Sequence, residues 1–233
     1  MSATERAPWL AAATQVIVDD VATPQLDDES LHHLSRVLRL RSGEVVCATD
    51  GAGGWVLCDF DGSASLIPSG DSGGEPAPDP ALTVGFALVK ASKPELVVQK
   101  LTELGVDHIV LFQARNSVAR WDQAKIDRQI PRLRKISIEA CAQSRRLHLP
   151  TVQFATLSDL AGRSSVLADA GGRSLRRADT VLLIGPEGGW DPSESAVAEA
   201  ISLGPTILRA ETAAIAGAAQ MVALRAGLLT ESE

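Results

Sequence analysis

The chain has no tyrosine, and its remaining aromatics are four Trp and four Phe among 233 residues. Its core must therefore be built from Ala, Val, Leu and Ile. Cysteine is as sparse: Cys47, Cys58 and Cys141 are odd in number and widely spaced, with no Cys-x-x-Cys pair. That pattern argues against a disulfide framework and against a zinc site, and it points to a reducing, cytoplasmic setting. The histidines do not alter this. His32 and His33 are neighbours that any regular element would aim in different directions, and His108 and His148 stand alone. No metal is expected. Nor is a membrane, because no apolar run approaches the roughly 18–20 residues that span a bilayer. The segment 9–18, which follows Arg6, is broken by Thr14 and Gln15 and runs into Asp19-Asp20, so it does not read as a signal sequence.

An excess of positive charge is also missing. The net charge is −7, from 22 basic and 29 acidic residues, which taken alone disfavours a nucleic-acid partner. The distribution says more than the total. Between Arg115 and Arg146 stand nine basic residues against Asp122, Asp127 and Glu139. A second stretch holds Arg36, Arg39 and Arg41 with no acid between them. Such segments can bind phosphates on an acidic protein, or can be solvated helix faces.

What is present is an ordinary globular composition, 45% hydrophobic and 22% charged, over a length that suits two domains. The sharpest break is the Gly- and Pro-rich run from Ser69 to Pro80, which reads as a linker. It divides the chain into a domain over 1–70, a linker over 71–80 and a domain over 81–233. The first part has short strand signals at 14–18, 44–49, 54–59 and 64–68, with Asp50-Gly51 and Asp61-Gly62 as turns. A short helix is predicted at 31–38, capped by Asp28 or Ser30. A small β-barrel is the natural reading.

In the second part strands and helices alternate, the mark of an α/β domain on a mostly parallel sheet. Strands are predicted at 82–88, 108–112, 166–168, 181–184 and 207–208. Helices are predicted at 93–104, at 122–146 with a kink at Pro131, at 192–203 ending on Gly204, and at 212–228 capped by Thr212. Asp191-Pro192-Ser193-Glu194 supplies a capping box with Pro at the first helical position.

Two segments stand where open α/β sheets hold ligands, between a strand end and a helix start. The first is Ile184-Gly-Pro-Glu-Gly-Gly189. Its glycines permit close backbone approach, yet it matches neither GxGxxG nor the phosphate loop with its lysine, so pattern alone leaves a ligand loop or a structural turn open. The second is Leu203-Gly204 followed by Leu208-Arg-Ala-Glu-Thr-Ala213. Arg209 and Glu211 are polar where packing does not require it; a surface ion pair is the bland alternative.

Taken together, these segments resemble the ribosomal RNA small subunit methyltransferase E family. Lys100-Leu-Thr-Glu-Leu-Gly105, Glu139-Ala-Cys-Ala-Gln-Ser144 with Arg146, and His32-His33-Leu-Ser-Arg-Val-Leu-Arg-Leu40 follow the same family in order, so the resemblance covers nearly the whole chain. Two departures are Arg6-Ala-Pro-Trp-Leu10 in place of an Arg-Phe-Phe-like opening, and Arg115-Asn116-Ser117 in place of an Arg-Ser pair. The resemblance implies a SPOUT-type α/β domain with a carboxyl-terminal trefoil knot, preceded by a small PUA-like β-barrel that holds RNA. It implies S-adenosylmethionine as cofactor, 16S rRNA of the small ribosomal subunit as substrate, methylation at N3 of a uracil, and a homodimer. Cofactor contacts are then expected from Ile184, Gly185, Glu187, Gly188, Gly189, Leu203, Gly204, Leu208, Glu211, Thr212 and Ala213. Arg209 is the candidate to stabilise charge on the uracil carbonyls and Glu187 the candidate proton acceptor, with Glu211 or a purely positional mechanism as alternatives. RNA contacts are expected from Arg36, Arg39, Arg120, Gln143, Ser144 and Arg146, although Gln143 also suits a helix-end cap. Rival readings are a related methyltransferase acting at another RNA site, and an RNA-binding protein without catalysis.

Overall fold

A computed structural model describes residues 7–88, 93–162 and 164–230. Arg6 lies outside them. Two compact units are present: one contains the residues up to Ala77 together with Cys141–Leu149, the other Pro78–Ala140 and the residues from Pro150 onward.

The first unit is built on one four-stranded sheet. Strand β1 (Thr14–Ile17) is followed by helix α1 (Asp28–His32), strand β2 (Glu44–Thr49), strand β3 (Gly54–Phe60) and strand β4 (Ile67–Gly74). The order is β1-β2-β3-β4, parallel between β1 and β2 and antiparallel elsewhere. Among the described residues no ladder joins β1 to β4, so the expected barrel takes the form of a sheet. Val46, Ala48, Val56, Cys58 and Phe60 fill its core with Leu34. Helix α1 starts earlier than predicted because Asp27, not Asp28 or Ser30, caps it, accepting the Ser30 N–H. It passes into a π-helical turn over His33–Val37 and ends at Arg39 with φ 55°. The stretch read as linker is in part β4. Glycine makes this pairing possible: a Cβ at Gly70 would sit 3.0 Å from Leu57, and one at Gly73 3.0 Å from the Trp55 ring.

The second unit is a six-stranded, fully parallel sheet. Its elements are strand β5 (Thr83–Ala87), helix α2 (Lys93–Leu104), strand β6 (His108–Phe112), helix α3 (Gln123–Gln143), strand β7 (Thr151–Phe154), helix α4 (Leu157–Leu160), strand β8 (Ser165–Arg173), strand β9 (Val181–Ile184), helix α5 (Pro192–Ser195), strand β10 (Glu199–Ile201) and helix α6 (Ala210–Arg225). The order is β10-β8-β9-β5-β6-β7. The central strands are near-continuous apolar runs, as strands covered on both faces must be. Phe86, Ile109, Leu111, Leu182 and Ile184 are almost wholly buried. Helix α3 keeps Pro131 within one continuous helix. Its last residues, from Cys141, group with the first unit. There Arg145, at φ 60°, donates to the Ala12 and Ala13 carbonyls at 3.1 and 2.7 Å.

Three expectations need correction. The helix predicted at 192–203 is the four-residue α5; its second half is strand β10, paired in parallel with β8. Pairing overrides helix propensity here because Gly172 has no side chain: a Cβ there would overlap the backbone of Ala200 and Ile201. Residues 207–208 are irregular rather than a strand. Helix α6 begins at Ala210 with Arg209 at its N-cap, so Thr212 lies inside the first turn and does not cap it. Strand β7 and helix α4 were not predicted. Among the described residues no helix is long and apolar enough to cross a membrane.

Candidate active site

Three backbone segments of the second unit meet at the carboxyl ends of its strands. They are Ala168–Ala170 within β8, the loop that leaves β9 from Ile184 to Trp190, and the stretch from Ser202 to Ala213 that leads from β10 into α6. Together they enclose a cavity of about 490 Å³, within the range of small-molecule sites.

Each wall has a local cause. The buried run Leu182, Leu183 and Ile184 carries β9 through the core, so the chain emerges at the sheet edge as Gly185. Gly185 is there because of Trp190: a Cβ would lie 2.9 Å from the indole. Trp190 stacks on Phe112 with centroids 6.1 Å apart and planes 11° apart, and its Nε1 donates to the Ala168 carbonyl at 3.1 Å. The indole thus ties the β9 loop to β8 and forms a wall itself. Gly189 closes a turn at φ 74°, its N–H donating to the Pro186 carbonyl at 2.9 Å. Behind the third segment, the Leu203 carbonyl accepts from Gln220 Nε2 at 3.1 Å. Gly217 of α6 lies against Leu182 and Leu203, where a side chain would not fit. The rim carries Ile207, an apolar residue 93% exposed. Glu187 and Arg209 are the exposed charged residues among those expected to act, and both line the cavity.

The structure brings together most of the expected cofactor residues. Ile184, Gly185, Glu187, Gly189, Leu203, Gly204, Leu208 and Ala213 line the cavity. Gly188, Glu211 and Thr212 do not. Gly188 packs against Asn116, Glu211 is half-buried in the first turn of α6, and Thr212 faces solvent. Sequence reasoning missed Ala168–Ala170, Pro186, Trp190, Ser202, Thr206, Ile207 and Ala210. Of these only Trp190 had a signal, as a large aromatic directly after a glycine pair in a chain poor in aromatics.

The candidate RNA residues fall in both units. Arg36 and Arg39 are exposed on and after the π-helical turn of the first unit. Gln143 is exposed at the end of α3, and Ser144 donates to the Cys141 carbonyl at 3.3 Å. Arg146 is half-buried, and its carbonyl accepts from Gln15 Nε2 at 2.7 Å. Arg120 is exposed in the second unit and donates to the Arg115 carbonyl at 2.9 Å. The basic stretch 115–146 is divided between the units: Arg115 to Lys135 belong to the second, Arg145 and Arg146 to the first.

Comparison with known proteins agrees with both units. The family described as RNA methyltransferase domain matches residues 75–222, and the family described as RNA methyltransferase PUA domain matches residues 26–60. A ribosomal RNA small subunit methyltransferase E from Mycobacterium bovis is 31% identical over 228 residues, covering 84% of each chain. Its namesake from Synechocystis sp. is 33% identical over 244 residues, covering 92% of this chain and 77% of its own. The crystal structure of a ribosomal RNA small subunit methyltransferase E from Neisseria gonorrhoeae bound to S-adenosyl methionine shares the fold. Its TM-score is 0.76 at 24% identity, over 91% of this chain and 97% of that one. With the matched domain spanning most of the second unit and relatives above 30% identity covering 84% and 92% of this chain, the chain belongs to the ribosomal RNA small subunit methyltransferase E family.

Proposed function

We propose that the protein transfers a methyl group from S-adenosylmethionine to N3 of a uracil in 16S rRNA of the small ribosomal subunit. The observation that carries this reading is the single cavity formed by both motif segments, Ile184–Gly189 and Leu203–Ala213. Its lining suits that cofactor. Gly185, Gly189 and Gly204 let the backbone approach a ligand closely, while Ile184, Leu203, Leu208 and Ile207 offer apolar surface to a flat ring. The start of α6, with Ala210 and Ala213 on the cavity, favours a carboxylate. The cofactor, when bound, supplies a methyl group on positively charged sulfur.

The remaining chemistry falls to the protein. The uracil must be held with N3 facing the methyl group, and its N3 proton must leave. Arg209 sits at the cavity and stabilises negative charge on the uracil carbonyls as that proton departs. Glu187 accepts the proton. RNA is contacted through Arg36, Arg39, Gln143, Ser144 and Arg146 of the first unit and through Arg120 of the methyltransferase domain, whose carboxyl-terminal part carries the knot. The family resemblance supports a homodimer working in the cytoplasm.

Isothermal titration with S-adenosylmethionine is expected to give a dissociation constant on the order of micromolar; no binding overturns the enzyme reading. Mapping of methylated nucleotides in rRNA from a deletion strain should show loss of one N3-methyluridine and its return on complementation. An unchanged map overturns the substrate.

A further inference from the structure

We propose that the loop Gln113–Trp121 docks single-stranded RNA, with Arg115 and Arg120 gripping backbone phosphates at the rim of the cavity, and that Glu194 is the residue that positions it. This rests on the RNA methyltransferase reading above and adds a substrate-binding element to it.

The loop is tied to itself. Gln113 Oε1 accepts the Trp121 N–H at 3.1 Å and closes its neck. Ser117, 5% exposed, accepts the Ala114 N–H at 3.2 Å and returns its own N–H to the Ala114 carbonyl at 3.1 Å. Trp121 stacks on Phe154, with centroids 6.4 Å apart. Compact loops packed by their own side chains are rigid enough to present other groups.

The loop is also fastened to the glycine loop. Asn116 Nδ2 donates to the Gly189 carbonyl at 3.2 Å, and Gly189 lines the cavity. Gly188 leaves room for that contact: a Cβ there would sit 3.0 Å from the Asn116 carbonyl. The strongest tie is Glu194, a carboxylate only 8% exposed. Its Oε1 accepts the Arg115 N–H at 2.8 Å and its Oε2 the Asp191 N–H at 3.4 Å. Burying a carboxylate is costly unless its acceptors are used, and these are used on backbone amides of two separate segments. Glu194 therefore fixes where the loop stands against the start of α5.

What this arrangement holds in place is basic. The segment 113–121 contains Arg115 and Arg120 and no acid. The Arg115 side chain is 68% exposed, with Asp191 4.0 Å from its Nε, an exposed pair that a phosphate can replace. Arg120 spends one of its five donors on the Arg115 carbonyl. Two planar forks on a loop fastened to a cavity-lining segment match phosphate oxygens.

The test uses the full chain and a labelled, uridine-rich single-stranded RNA of about a dozen nucleotides, titrated across a range of KCl. Arg115→Ala and Arg120→Ala are each expected to weaken RNA binding roughly tenfold. Each should also lower the slope of log K against log salt by about 0.7. Adenosylmethionine affinity should stay within about twofold. Glu194→Gln is expected to raise the RNA KM several-fold while kcat at saturating RNA and cofactor affinity hold. RNA affinity and salt slope unchanged in the double arginine variant overturn the proposal. So does a Glu194→Gln variant whose RNA KM is unchanged, or whose kcat and cofactor affinity fall as its KM rises. If the unaltered protein binds RNA through these arginines yet does not bind adenosylmethionine, the enzyme reading fails and the docking loop stands.

Discussion

Gly185→Ala adds one methyl group at the point where the cavity wall is tightest. That methyl would lie 2.9 Å from Cε2, 3.0 Å from Nε1 and 3.2 Å from Cδ2 of Trp190. Comfortable carbon contacts are about 3.5–4.0 Å, so the ring must move by about half an ångström or more. Phe112 stacks on one face and the Ala168 carbonyl holds the indole N–H, so the open direction is the cavity that the ring lines. Overpacking of this kind costs about 1–3 kcal/mol. In the free protein, displacement of the ring relieves most of that strain. Adenosylmethionine requires the ring to return, so the cost reappears in binding as a roughly 5- to 150-fold weaker dissociation constant. Titration calorimetry on Gly185→Ala measures this, and the Trp190 emission should shift in the unliganded variant. Pairing Gly185→Ala with Trp190→Phe should restore affinity to that of Trp190→Phe alone, because the smaller ring leaves room for the methyl. Affinity within twofold of the unaltered protein, or a double variant no better than Gly185→Ala, would refute this account of the wall.

Arg209→Ala should cut methyl transfer at least tenfold while the melting temperature changes by less than about 2 °C, because an exposed residue carries little of the fold; full turnover removes Arg209 from the mechanism. Arg225→Met should be severe for stability. Arg225 pairs with Asp107 and donates to the Gly105 carbonyl at 2.8 Å and the Pro80 carbonyl at 3.2 Å. Losing one side of a buried pair costs about 3–5 kcal/mol, a drop of roughly 6–20 °C by calorimetry, and a drop under 3 °C contradicts it. Burial pushes the Cys47 thiol up to about 12 and those of Cys58 and Cys141 up to about 11. The folded state favours the protonated thiol, so this contribution to stability is full below about pH 9 and is lost as pH rises through those values. Iodoacetamide at pH 8 should therefore label none of the three until urea unfolds the chain; labelling of native protein at free-thiol rates shows the burial to be wrong.

The parallel sheet was legible where strands are buried on both faces. Residues 109–112 and 181–184 are unbroken apolar runs, and β6 and β9 occupy those positions. Strand β7 was not legible because Val152 is its one buried residue, which leaves no periodicity to read. Strand β10 was misread for a different reason. Its residues Glu199, Ala200 and Ile201 follow a sound capping box and favour a helix locally. What turns them into a strand is distant: Gly172 clears the space, and Arg173 Nε meets the Glu199 carboxylate at 2.8 Å. The same applies to β4, where Gly70 and Gly73 look like linker residues until Leu57 and Trp55 are set beside them. Glycine in this chain marks close approach as often as it marks a turn.

The candidate site was legible as two loops and illegible as a cavity. A glycine-rich segment after a strand announces backbone near a ligand, but Ala168–Ala170 contributes a wall through position alone, with no residue type to betray it. The cap of α6 is the informative error. The expectation of Thr212 as the cap of α6 followed side-chain chemistry, since Thr can accept an N–H and Arg cannot. The structure puts Arg209 at the N-cap, where its side chain makes no capping bond. A helix start normally recruits an acceptor to its open amides. Placing a donor-only side chain there breaks the local rule, and it does so at the mouth of the cavity. Departures from local folding rules are expected to fall at functional sites, and Arg209 lines the cavity with its side chain exposed, which is what Arg209→Ala tests.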